Sequence, residues 1–332
     1  QMHLNREETA MKLIPWALAA VAAIGLVQSA FAQASYPSKP VRIVVPYAPG
    51  GAVDVVTRKV AQKLTEQMGQ SFYVENKAGA TGSIGTQLVA RATPDGYTLL
   101  ANDNTYSILP YVFKELPWDH QNAFAPITVS VFTPVLIAVP AASPFKTLGD
   151  LLAHAKAHPD TLNYGTGGQG SAPHFATEAF QLAAGVKLSH IPYKGAGEAM
   201  LGLVGGQIDL LLVSTPSAVG QIKSGKIRAL AVSGEKRLES HPDIPTFAEA
   251  GLAGFGVVNW SGLAAPTGTP VDILTRLNGE VKKALASPDM REFIANMSAQ
   301  PGGIEPAAFS ALIKDETVRW APLAEKAAVE RQ

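Results

Sequence analysis

Residues 41–54 read Val41-Arg42-Ile43-Val44-Val45-Pro46-Tyr47-Ala48-Pro49-Gly50-Gly51-Ala52-Val53-Asp54, and the order of residue types within them decides the architecture. Val41, Ile43, Val44 and Val45 are β-branched and predict a short strand. Two prolines and two glycines then turn the chain. Beyond the turn, Val53, Val56, Val60, Leu64 and Met68 recur at three- and four-residue steps, which predicts a helix over Asp54–Met68. Gly69 follows where a helix end favours glycine. A strand that enters a helix through such a turn is half of a strand–helix–strand unit. The turn also offers chemistry: glycine lets a ligand approach the backbone amides, and a helix start has unpaired N–H groups and a partial positive charge. Together they suit an anion, although an ordinary strand-to-helix turn has the same composition.

The pattern repeats outward. Strand Phe72–Val74, helix Ile84–Ala92, the turn Pro94-Asp95-Gly96 and strand Tyr97–Leu100 complete a first α/β block. A second block opens with strand Pro134–Val139 and continues through helix 147–157, strand 162–164, helix 172–184, strand 188–191 and helix 196–204. Ile208–Val213 is an apolar run of the kind buried on both faces of a sheet; helix 216–223 and strand 228–232 close the block. From about Phe255 the chain has one strand, Val257–Ala264, and then helices to the end. One strand makes a poor domain, so this section is expected to pack back on the first block. The chain would cross between blocks near Phe132 and again near Gly254. The expected fold class is α/β with a mainly parallel sheet in each of two lobes. Residues 33–133 with 255–332 would form lobe 1 and residues 134–254 lobe 2.

Composition agrees with two globular cores. The chain has 332 residues, 47% hydrophobic and 16% charged, and a net charge of zero, so nothing attracts a nucleic-acid backbone or an anionic membrane surface. It has no cysteine, which removes disulfides, thiol catalysis and cysteine metal sites together. Met11 and Lys12 precede an uncharged run from Leu13 to Val27, followed by Ala30-Phe31-Ala32. That is the layout of a cleaved export signal, with residues 1–10 upstream of it and a mature chain beginning near Gln33.

A second glycine-rich turn lies in the second block: Tyr164-Gly165-Thr166-Gly167-Gly168-Gln169-Gly170-Ser171-Ala172-Pro173-His174. It again joins a strand to a helix. Ser171 stands at the N-cap position and Pro173 in the first turn. The amides of Gly167, Gln169 and Gly170 and the hydroxyls of Thr166 and Ser171 are donors for an anion, with His174 beside them. Gly165-x-Gly167-x-x-Gly170 matches a dinucleotide fingerprint literally, but strand 188–191 runs into Pro192-Tyr193-Lys194 without the required acid. Gly220-x-x-x-x-Gly225-Lys226 is followed by Ile227, and it leads from a helix into a strand, the reverse of a P-loop. There is no nucleophile-elbow serine and no zinc-protease motif. His154 and His158 read as a solvated helix face. Tyr47, Phe113, Trp118 and Trp260 are candidates for stacking on an aromatic ligand, or for the core.

At this point the residues carry a family pattern. Tyr36-Pro37-Ser38-Lys39-Pro40, Pro49-Gly50-Gly51 with Asp54, Val74-Glu75-Asn76-Lys77-Ala78-Gly79 and Pro94-Asp95-Gly96-Tyr97-Thr98-Leu99-Leu100 occur in order. Gly168-Gln169-Gly170-Ser171 with His174, Pro192-Tyr193-Lys194-Gly195, Gly205-Gly206-Gln207, Pro242-Asp243-Ile244-Pro245-Thr246 and Trp260-x-Gly262-Leu263 follow. The sequence resembles the substrate-binding proteins of tripartite tricarboxylate transporters, the Bug or TctC type. The resemblance implies a periplasmic-binding-protein fold of type II: two α/β lobes joined by two crossing strands, with a ligand in the cleft. It implies a periplasmic, monomeric protein without cofactor or metal that is not an enzyme. Its ligand would be a small carboxylate, such as a di- or tricarboxylate, an aromatic acid or an amino acid. Its partners would be the membrane subunits of such a transporter.

The matching ligand-binding positions are Tyr47, Ala48, Gly50, Gly51 and Asp54 in the first lobe and Thr166, Gly167, Gln169, Gly170, Ser171 and His174 in the second. Ala48 stands where proline is frequent in the family. Asn102, in the segment Ala101–Thr105 after a strand end, is added because topology places that segment at the cleft. Asp54 is expected to complement its helix dipole, to order the first loop or to meet a donor group on the ligand. Two other readings share the residues: a sensor subunit for a two-component kinase, and a nucleotide-dependent oxidoreductase built on Gly165–Gly170.

Overall fold

The computed structural model describes residues 36–47, 49–193 and 195–326. The expected export signal and Ala48 lie outside the described residues. From Pro40 onward the chain forms one compact unit.

Strand β1 (Val41–Val45) is buried except for Arg42 because it is central, paired in parallel with β2 (Phe72–Asn76) on one side and β3 (Thr98–Asp103) on the other. Between them run α1 (Ala52–Met68) and α2 (Ser83–Ala90). Helix α1 ends as its sequence predicts, with Gly69 at φ 70° donating its N–H to Thr65 O. Helix α3 (Thr105–Val112) follows β3 after the single residue Asn104. No amphipathic pattern announces it: Tyr106, Ser107, Ile108, Leu109 and Val112 are all buried and Pro110 lies inside it, and a helix buried on nearly every side has no polar stripe.

The two lobes share strands. β4 (Phe124–Pro140) is 17 residues long. Its first half pairs antiparallel with β9 (Val258–Pro266), which in turn pairs with β3. Its second half pairs antiparallel with β7 (Leu211–Ser214) and β8 (Ile227–Val232). The short β10 (Gln300–Pro301) edges β4 at Phe132 and Val131. In the second lobe β5 (Asn163–Thr166) pairs in parallel with β6 (Ser189–Pro192), and Tyr164 bridges to Leu210 beside β7. The sequence places a strand only from Pro134, whereas β4 begins ten residues earlier. Pro126 and Pro134 hide that half; the register shifts between Pro126 and Thr128, which accommodates the first of them.

Helices α4 (Leu148–Ala157), α5 (Ala172–Ala184), α6 (Ala196–Val204) and α7 (Thr215–Lys223) cover the second lobe; α8 (Val271–Leu285), α9 (Pro288–Asn296) and α10 (Pro306–Lys326) follow β9. Helix α10 serves both lobes. Phe309 meets Trp260 of β9 edge to face at 4.9 Å, while Trp320 meets Phe175 of α5 edge to face at 5.9 Å. Trp320, Leu323 and Ala324 belong to the same buried cluster as Leu210, Leu212 and Phe180. The last turns of the chain are thereby fixed to the second lobe.

Candidate functional site

A cleft of about 440 Å³ lies where the lobes face each other. Its walls are built largely from the beginnings of helices. Ala52 and Val53 open α1, Asn104 and Thr105 open α3, Ser171 to Pro173 open α5, Gly195 and Ala196 open α6, and Ser214 precedes α7. None of these helices is capped by the side chain of its own N-cap residue; Thr105 N of α3 is taken by the Asp103 carboxylate, and at α1, α5, α6 and α7 first-turn N–H groups stay available to a ligand. The floor comes from the crossing strands: Thr133 of β4 and Asn259, Trp260 and Ser261 of β9. Among the described lining residues there is no lysine or arginine.

In the first loop, Tyr47 lines the cleft while Gly50 and Gly51 are exposed just beside it, between Tyr47 and Ala52. Asp54 is buried behind the loop and orders it. Its carboxylate accepts from Gly50 N at 2.9 Å, Asn76 Nδ2 at 2.8 Å and Arg58 Nε at 3.0 Å. Asn76 Nδ2 also donates to Tyr47 O at 3.1 Å, which ties strand β2 to the turn. Burial pushes the Asp54 carboxyl up, but the bonds from Arg58, Gly50 and Asn76 outweigh it and hold the group below the ordinary aspartate value. Of the three roles open from the sequence, loop ordering is the one these contacts support.

In the second loop, Gly167, Gln169 and Ser171 line the cleft; Thr166, Gly170 and His174 are buried beneath them. A Cβ on Gly167 would stand 3.2 Å from Ala196 N, so only glycine lets this loop approach the start of α6 without displacing it. Ser171 Oγ donates to Gly168 O at 2.7 Å instead of capping α5. His174 Nδ1 accepts from Gly170 N at 3.1 Å, and the His174 ring stacks on His190 at 4.3 Å. His190 Nε2 meets Thr166 Oγ1 at 2.6 Å. Burial lowers both imidazoles to about 4, with His174 adding to the effect on His190. Both rings are therefore neutral at physiological pH, and they brace the loop from behind.

Asn102 does not line the cleft. Its side chain is buried and its Oδ1 accepts no hydrogen bond from the described residues. The residues after it do line it. Asp103 Oδ1 accepts from Tyr47 OH at 2.6 Å and Thr105 N at 3.0 Å. Burial raises the Asp103 carboxyl, partly offset by the Tyr47 and Thr105 bonds. Burial and then the Asp103 charge raise the Tyr47 phenol, which keeps it a donor. Asn104 reaches down to Glu316 of α10: its Nδ2 donates to Oε1 at 2.8 Å, and Trp260 Nε1 donates to Oε2 at 2.8 Å. Burial pushes Glu316 up to about 7 despite these donors. Of the aromatic candidates, Tyr47 and Trp260 reach the cleft and Phe113 and Trp118 do not line it.

The sequence reading missed Asp103, Thr133, Ser214 and Ser261. Strand alternation was the available signal for Asp103, since it pairs with Ser261 while Asn102 pairs with Gly262. A larger groove of about 980 Å³, lined by Lys236 to Ser240, Arg291 and Ser298 to Gly303, shares no residue with the cleft and touches neither glycine loop.

Two α/β lobes, two crossing strands and a cleft between them define a binding protein of the type II periplasmic class. The chain belongs to the tripartite tricarboxylate transporter receptor family, whose model matches residues 56–329. It is 37% identical over 290 residues to a protein from the tcbD–tcbE intergenic region of Pseudomonas sp. strain P51, covering 87% of this chain and 86% of that one. The solved periplasmic binding protein BugD is 37% identical, with a TM-score of 0.76 over 90% of this chain and all of the other. An R. palustris relative solved with adipate is 32% identical, with a TM-score of 0.80 over 90% of this chain and all of the other.

Proposed function

We propose that this protein captures a small organic carboxylate in the cleft by closing its two lobes, and delivers it from the periplasm to the membrane subunits of a tripartite tricarboxylate-type transporter. The observation that carries this reading is the convergence on one interlobe cleft of four helix N-termini, those of α1, α5, α6 and α7, without side-chain caps. Neutral amides and helix dipoles stabilise a carboxylate without the desolvation penalty of a buried cation. The adipate held by the R. palustris relative is a ligand of the same class.

Closure follows from the division of the site. Each lobe offers part of the donor set, so a ligand that bridges them gains its full set of bonds only in the shut form, and that difference shifts the hinge equilibrium. On this reading residues 33–133 and 255–332 form the first lobe and 134–254 the second, with the end of α10 reaching across to pack on the second, and the protein acts as a monomer without cofactor or catalytic residue.

A thermal-shift screen of di- and tricarboxylates, aromatic acids and amino acids, followed by calorimetry, tests the reading. At about 100 times its dissociation constant a ligand adds about 2.7 kcal/mol to folding stability. One or a few acids should raise the melting point by several degrees; a flat response across the whole panel would overturn the proposal.

A further inference from the structure

The cleft proposed for an anion holds an acidic group of its own. Asp103 ends β3 and lines the cleft. Among the described lining residues it is the single carboxylate, and none of them is a lysine or arginine. Its two well-defined donors, Tyr47 OH and Thr105 N, both reach Oδ1, and the Thr105 hydroxyl lies close enough to contribute as well. An ionised carboxylate has about four acceptor sites. Three protein donors leave at least one open, and the residue is only half-buried. Tyr47 spends its hydroxyl proton on Asp103 and has none to give to a ligand. This corner therefore offers lone pairs, while the N-termini of α5 and α6 across the cleft offer N–H groups.

A ligand carboxylate placed against Asp103 would meet a like charge in a partly desolvated site, which is strongly unfavourable. Its acidic groups must lie towards the helix starts that offer N–H groups, at Ala52, Ser171 and Ala196, and away from Asp103. Whatever meets Asp103 must be able to donate. A site built to hydrogen-bond a hydroxyl or amine discriminates against an analogue that lacks it far more sharply than an apolar pocket discriminates by size.

We propose that Asp103 is a specificity determinant that selects, among small carboxylates, those bearing a hydroxyl or ammonium group over the unsubstituted acids. This rests on the carboxylate-capture reading above and names the subclass of ligand for that site.

Calorimetry with two matched series tests it: succinate, malate and aspartate, then glutarate, 2-hydroxyglutarate and glutamate. In the wild-type protein at least one hydroxyl- or amino-bearing acid should bind tenfold or more tighter than its unsubstituted partner. Asp103→Asn keeps an acceptor for Tyr47 OH and removes the charge; it should reduce that ratio to within threefold, chiefly because the unsubstituted acid gains affinity. A preference for the hydroxy acid marks a neutral donor, and a preference for the amino acid that weakens with salt marks charge pairing; both support the assignment. If the unsubstituted acids bind as tightly as the substituted ones, or if Asp103→Asn folds and leaves the ratio unchanged, the role of Asp103 is overturned while carboxylate capture stands. If no acid of either series or of the broader panel binds, both fall together. The wild-type ratios decide the matter even if the variant does not fold.

Discussion

Asp54 shows how much can rest on one carboxylate that the ligand need not touch. It gathers Gly50 from the loop, Arg58 from the next turn of α1 and Asn76 from β2. Asp54→Ala strands these donors, and leaving buried polar groups unpaired costs about 1–3 kcal/mol. The variant should melt lower and bind its acid more weakly, the second effect appearing in calorimetry below the melting range; unchanged affinity would mean that the first loop keeps its shape without this brace. Gly262 carries a different constraint. A Cβ there would stand 2.7 Å from both the Phe309 ring and Thr128 O. Gly262→Ala should therefore lower stability by about 1–3 kcal/mol, the usual range for overpacking a filled core, read from denaturant midpoints. The motif Trp260-x-Gly262 was visible in the sequence; that its glycine makes room for an aromatic ring of α10 was not, because Phe309 lies 47 residues further on.

At the scale of elements, two buried titrating groups pull stability in opposite directions. His174 and His190 brace the second loop as neutral rings, with folded values of about 4 against 6.5 for free imidazole. The unfolded chain takes up protons first as pH falls, so these residues cost stability progressively from pH 6.5 down to about 4. Replacing both with Gln should flatten that part of the melting-point profile relative to wild type. Glu316 is the reverse case, raised from 4.5 to about 7 by its burial under the Asn104–Trp260 pair. Its folded form holds the proton more tightly, so stability is lost as pH rises from about 4.5 through 7. Glu316→Gln should gain on the wild type as pH rises over that window. Parallel profiles for either variant and the wild type would show that the groups titrate alike in folded and unfolded chains. Asp103, Arg319 and the hydrogen-bonding pair are the groups that act on Glu316, and only the docking of α10 brings them together.

For the whole molecule, the crossing strands set the mechanics. β4 and β9 pair along their length from Phe124–Pro266 to Pro134–Val258, and beyond that β4 alone enters the second sheet. A rotation about this ribbon leaves both sheets intact. Saturating ligand should therefore shrink the radius of gyration in solution scattering without changing secondary structure by circular dichroism. An unchanged radius on binding would rule out lobe closure as the capture step.

The sequence alone determined the alternation of strands and helices, the two glycine-rich turns, the return of the chain to the first lobe, and the family pattern. Those features are written in local chemistry: β-branched runs, three- and four-residue apolar steps, and glycines at strand-to-helix turns. The tertiary structure decided which side chains share the cleft. Asp103, Thr133, Ser214 and Ser261 come from four different strands, and nothing in their own surroundings marks them. Asn102 and Asp103 are neighbours in sequence, yet only the second faces the ligand space, because strand pleating and the pairing of β3 with β9 assign adjacent side chains to opposite faces.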